Sequence, residues 1–151
     1  MIRYACYRLP IGDITVGYED DAVVFLKTGC DPSFPQDPTP LSDLVAAEIG
    51  EYLSGDRTEF SFPIRLTGTV FQKTVWETLR RIPYGQTRTY GQIAAAIGRP
   101  KAAQAVGIAC SKNPIWIAVP CHRVIGKNNT LTGYAGGLDL KQKLLDLEKC
   151  Q

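Results

Sequence analysis

The stretch TYGQIAAAIGRPKAAQAVGIACSKN, residues 89–113, reads as two short helices around a glycine. TYGQIAAAIG forms the first, Gly98 makes the turn, and Arg99-Pro100 opens the second. Two short helices joined by a tight glycine-containing turn are a helix-turn-helix. In the second helix Ala102, Ala103, Ala105 and Gly107 leave much of the surface nearly bare. Such a face serves either close helix packing or, with Lys101 and Lys112 beside it, close approach of a helix backbone to a DNA groove.

Upstream, Val70, Phe71, Val75, Trp76 and Leu79 form one face of another helix, with Thr69 as cap and Pro83-Tyr84-Gly85 as stop. Downstream, NPIWIAVP (113–120) is a continuous apolar run between prolines, as expected of a buried strand or extended segment. Cys121 emerges from it at a pocket wall, followed by His122, the only histidine of the chain. A thiolate is a nucleophile, and a nearby base raises its population. Adjacent side chains in an extended segment point apart, so a water would carry the proton between Cys121 and His122. The C-terminal helix LDLKQKLLDLEKC offers Glu148 to orient the imidazole.

The first half has a different character. YACYRLPIGDITVGYEDDAVVFLKTG alternates and breaks at Pro-Ile-Gly and Glu-Asp-Asp, which predicts three short strands. CDPSFPQDPTP is a loop, LSDLVAAEIGEYLSGD a helix stopped by Gly55, and TEFSFPIRL an edge strand because of Pro63. The expected organisation is an α+β domain over residues 1–66 and a mainly helical domain over residues 67–151.

The charge divides at the same place. The net charge of +2 splits into −6 over residues 1–66 and +8 over residues 67–151, so the second half either meets a polyanion or presents a solvated basic surface. No apolar run is long enough for a membrane span, and the N-terminus lacks the apolar core of a secretory signal. A cytoplasmic chain is expected. Five cysteines at irregular spacing make a poor disulfide framework, and Cys6, Cys30, Cys110 and Cys150 read as small buried hydrophobes. With no C-x-x-C pair and one histidine, no metal site is expected.

Three linked motifs go further: PCHRVIG (120–126), TGYAGGL (132–138) and FQKTVWETLRRIPYGQTRTYGQIAAAIGRPKAAQAVG (71–107). Together they closely resemble the 6-O-methylguanine-DNA methyltransferases, over essentially all of residues 67–148 and more loosely over residues 1–66. The resemblance implies a ribonuclease H-like N-terminal domain with an antiparallel sheet, and a winged helix-turn-helix domain. It implies transfer of the alkyl group from 6-O-alkylguanine, and from 4-O-methylthymine, in double-stranded DNA to Cys121. The reaction runs once per molecule, on a base flipped out through the minor groove, with no cofactor and in a monomer.

The resemblance also implies residue roles. His122 takes the Cys121 proton through water and Glu148 orients it. Asn113 is a hinge joining the DNA-binding segment to the acceptor strand. Tyr90, otherwise a core aromatic, donates to guanine N3 and crowds the adjacent phosphate. Lys141, Val119, Tyr134, Ala135 and Gly136 build the guanine pocket. Ala102, Ala103, Gln104, Ala105 and Gly107 form the DNA-binding helix, and Arg123 combines a structural role with membership of the DNA-binding set. One departure stands out: the family usually has Arg where this chain has Gln104, which is shorter, neutral and less able to stack. A Cys-His hydrolase would use the same trio but would turn over repeatedly, and a non-catalytic DNA-binding module would not need Cys121.

Overall fold

The computed structural model describes residues 1–127, 130, 134 and 137–149; Ala135 and Gly136 of the expected pocket lie outside them. The chain divides into two compact units, Met1–Thr67 with Pro114–Trp116, and Gly68–Asn113 with Ile117–Gln151.

The first unit is built on an antiparallel sheet in the order β1 (Arg3–Leu9), β2 (Gly12–Glu19), β3 (Ala22–Thr28). The alternation in sequence becomes an inner face of Ala5, Ile14, Val16, Val23 and Leu26, with Ala5 opposite Val16 and Val16 opposite Leu26. The β2–β3 hairpin turns through Asp20 at φ +56°, a left-handed conformation that Asp tolerates. Gly17 is dictated by space, because a Cβ there would lie 2.7 Å from the Phe25 Cβ. Helix α1 (Pro40–Leu53) packs against β1 and β2 and buries Val45, Ile49 and Tyr52. A capping box of Thr39 and Ser42, with Pro40 in the first turn, fixes its start. Buried Glu48 on α1 accepts hydrogen bonds from the Ser61 backbone N–H and hydroxyl, which pins the segment after the helix.

Three expectations need correction here. TEFSFPIRL does not form a strand. It contributes a single bridge, with Val23 N donating to Pro63 O and Arg65 N to Val23 O, since Pro63 has no N–H to extend the ladder. NPIWIAVP likewise bridges β3 only at Ile115, then turns, with Ile117 at φ +66°. Its apolar run marks complete burial of Ile115 and Val119 rather than an extended conformation. Cys6 and Cys30 are not separate thiols but a disulfide, Cα atoms 5.9 Å apart. The order β1-β2-β3 brings β1 and the segment after β3 into reach across β2, a proximity that spacing along the chain does not reveal.

The second unit contains α2 (Val70–Leu79), α3 (Tyr90–Ala96), α4 (Ala103–Ser111) and α5 (Leu138–Lys149). A two-residue strand β4 (Arg88–Thr89) pairs in parallel with β5 (Val124–Ile125). Thr69–Gln72 and Thr89–Gln92 are capping boxes that start α2 and α3. Gly98 at φ +78° makes the α3–α4 turn. The helix α4 begins at Ala103, after Arg99-Pro100, with no side-chain cap at Ala102. It is tied to α2 by the buried Trp76 indole N–H, which donates to Ala109 O at 2.9 Å. Among the described residues no helix is long and apolar enough to cross a membrane.

Candidate active site

Asn113 follows the end of α4 and is buried. Its Nδ2 donates to Val119 O at 2.8 Å and to Cys121 Sγ at 3.1 Å, so one amide joins the end of the helix to the turn that carries the thiol. Cys121 opens a 3-10 turn, Cys121–Arg123, placed between Pro120 and β5. This turn sends the next two side chains to α5. His122 Nε2 lies 2.8 Å from Glu148 Oε2, and Arg123 grips the same carboxylate with Nε to Oε1 at 2.8 Å and Nη2 to Oε2 at 2.9 Å. Gly85 N, in the turn after α2, donates to Oε1 at 3.3 Å.

These bonds fix the state of the ring. The carboxylate accepts only, so Nε2 carries the proton and Nδ1 is the basic nitrogen. Burial holds the His122 pKa below 6.5, with Arg123 and Lys141 acting in the same direction against the opposing pull of Glu148. A neutral imidazole at neutral pH is what a general base requires.

Arg123 does not present itself to DNA as expected. It is buried, bound to Glu148, donates to Ile82 O at 2.8 Å and lies over the Tyr84 ring at 5.6 Å. Its charge serves the carboxylate. Lys141, expected at the guanine pocket, is fully buried near the Cys121 and Cys110 thiols and donates from α5 to Val124 O at 2.6 Å. Burial lowers its pKa, opposed by the Cys121 and Cys110 thiols when ionised. Val119 is fully buried, and its carbonyl accepts from Asn113 and from Cys121 N at 2.8 Å.

Beside the thiol lies a cavity of about 780 Å³ lined by Tyr90, Gln104, Gly107, Cys110, Cys121 and Tyr134, among others. The bare face of α4 forms one wall: Ala103, Gln104 and Gly107 line it, while Ala102 is half-buried and Ala105 exposed. A Cβ added at Gly107 would stand 3.7 Å from the Tyr90 ring, ordinary contact. Cys110 is the residue the sequence reading missed. Helical spacing from Ala103 and Gly107 puts it on the same wall, but a scattered cysteine carries no signal of its own. Burial, reinforced by Cys121, pushes its thiol up to about 12.

A helix-turn-helix thus stands beside a buried cysteine held by an amide donor and followed in the chain by an imidazole bound to a clamped carboxylate. The chain belongs to the 6-O-methylguanine DNA methyltransferase family: residues 2–66 match its ribonuclease-like domain and residues 70–150 its DNA binding domain. It is a methyltransferase with the expected α+β architecture. A methylated-DNA–protein-cysteine methyltransferase of Mycolicibacterium paratuberculosis is 46% identical over 155 residues, covering 99% of this chain and 93% of the relative. The namesake of Methanosarcina acetivorans is 44% identical over 151 residues, covering 96% and 97%. The crystal structure of Mycobacterium tuberculosis OGT in complex with DNA has a TM-score of 0.91 at 42% identity, covering 98% of this chain and 93% of that one.

Proposed function

We propose that this chain repairs DNA by moving the alkyl group of 6-O-alkylguanine, and of 4-O-methylthymine, to Cys121, once per molecule. The work is assigned to residues 67–151, with residues 1–66 a separate domain, and to a monomer, because every residue invoked belongs to one chain. The observation that carries this reading is the bonded set Asn113–Cys121 and His122–Glu148–Arg123 beside a cavity walled by a bare helix.

A base inside a duplex cannot present its exocyclic oxygen to a sulfur, so the nucleotide is extruded at a cost of a few kcal/mol. The face of α4 enters the minor groove, and Gln104 occupies the gap. Cys121 passes its proton through a water to His122 Nδ1, while the Asn113 amide stabilises charge on the sulfur. The sulfur attacks the alkyl carbon; the S–C bond forms as the C–O bond breaks, and the base leaves with the electron pair. A donor such as the Tyr90 hydroxyl at N3 stabilises that developing charge. The thioether has no route back to a thiol.

With excess duplex carrying one 6-O-methylguanine, intact-protein mass should rise by one methyl and stop, and peptide mapping should place it on Cys121. Repair continuing past one equivalent, or methyl on another cysteine, would overturn the assignment.

Gln104 is exposed on the cavity rim, so Gln104→Arg has room to extend and adds charge and a stacking plane where the base leaves. The flipped state should gain about 1 to 2 kcal/mol if base-stacking magnitudes apply. Transfer from duplex should quicken roughly tenfold, whereas reaction with free 6-O-methylguanine should barely change. Equal acceleration of both substrates would place the effect in the pocket instead.

A further inference from the structure

The outer face of α4 carries a residue that neither the core nor the cavity explains. Ile108 is 58% exposed, one turn on from Gln104 and one turn before Lys112, both exposed. At helical spacing Gln104, Ile108 and Lys112 form a single ridge beside the cavity wall, since positions four apart stack along a helix. Inward-facing Val106, Ala109 and Cys110 are buried, so the helix already has its packing face. Ile is a poorer helix former than Ala, and the exposed Ala105 shows that the smaller residue is accommodated on this side. Water-exposed Ile108 therefore costs the free protein something and contributes little to its core.

We propose that Ile108 is a DNA-contacting residue, an aliphatic ridge that packs against the deoxyribose walls of the minor groove while Lys112 meets a phosphate. This rests on the reading of α4 as the DNA-binding face. Proteins that work in the minor groove commonly use apolar side chains there, because the sugar faces offer C–H surface that a charged side chain cannot dehydrate favourably. The position complements Gln104: a neutral residue at the point of extrusion contributes no charge attraction, and an apolar neighbour one turn away supplies grip by exclusion of water. The occupant is duplex DNA because the ridge ends in a cation and borders the cavity of the acceptor thiol.

The test is equilibrium binding of the full chain to a duplex, across a salt series. Ile108→Ala should weaken binding roughly tenfold, as expected for losing three buried carbons in part. The slope of log affinity against log salt should stay unchanged, because no counterion release is lost; Lys112→Ala should reduce that slope by about one. Ile108→Leu should restore most of the affinity, and thermal unfolding should show Ile108→Ala folded. Val70, 84% exposed at the start of α2 and not among the cavity-lining residues, provides the control. Undiminished binding by Ile108→Ala, or an equal loss from Val70→Ala, would overturn the proposal. If the unmodified protein itself neither bound duplex nor accepted methyl, the functional reading would fall instead.

Discussion

Glu148→Gln should cost about 3–5 kcal/mol of folding stability and abolish measurable transfer. The carboxylate receives Arg123 through two bonds, His122 through one and the Gly85 amide through another, all within a buried cluster. Neutralising it leaves the Arg123 guanidinium buried without a counter-charge, which is worse than never having had the pair. Chemical denaturation reads the first effect and single-turnover alkylation the second. Pairing Arg123→Met with Glu148→Gln separates them: the double variant should recover much of the stability, because an apolar side chain replaces the stranded cation, while transfer stays lost. Recovery of both would mean that Glu148 only supports the fold.

His122→Ala should slow transfer by roughly 10²–10⁴-fold, the usual worth of a positioned general base, with duplex affinity little changed. The pH dependence gives a second signature. Burial sets the folded pKa of His122 below 6.5, so the unfolded chain binds a proton that the folded chain refuses between those two values. Stability contributed by the neutral ring is therefore complete above 6.5, falls as pH drops towards the folded pKa, and levels off below it. Wild-type transfer should hold its plateau below pH 6.5 and then decline; the variant should lack that acid limb. Because His122 is the only histidine, no second imidazole confuses the titration. Rates within about twofold of wild type would remove His122 from the proton path.

Legibility from sequence followed the range of the interaction. The Thr69 cap, the Gly98 turn and the α4 small-residue face are written within a few residues, and each stands where the pattern puts it. The Glu148–His122 pairing was also legible, since a single imidazole needs an orienting carboxylate and α5 offers one on its apolar side. What escaped depends on distant pairing. Nothing local to Arg123 says that its partner lies 25 positions away on α5, so its structural role came with the resemblance alone, alongside a place in the DNA-binding set that its burial does not support. The apolar run 113–120 betrayed its burial but not its turn at Ile117. Cys6 and Cys30 meet only because β2 stands between their segments.

The disulfide and the buried Cys110 have a joint effect on chemical selectivity. Of the four cysteines among the described residues, two are tied up in a bond that has no thiolate to offer. A third has a thiol near 12, so at pH 7 its ionised fraction is on the order of one in 10⁵. Among the described cysteines, soft electrophiles therefore meet one ionisable sulfur, held by the Asn113 amide and followed in the chain by His122. For a chain proposed to react once per molecule, stray alkylation at the other described cysteines is in this way suppressed.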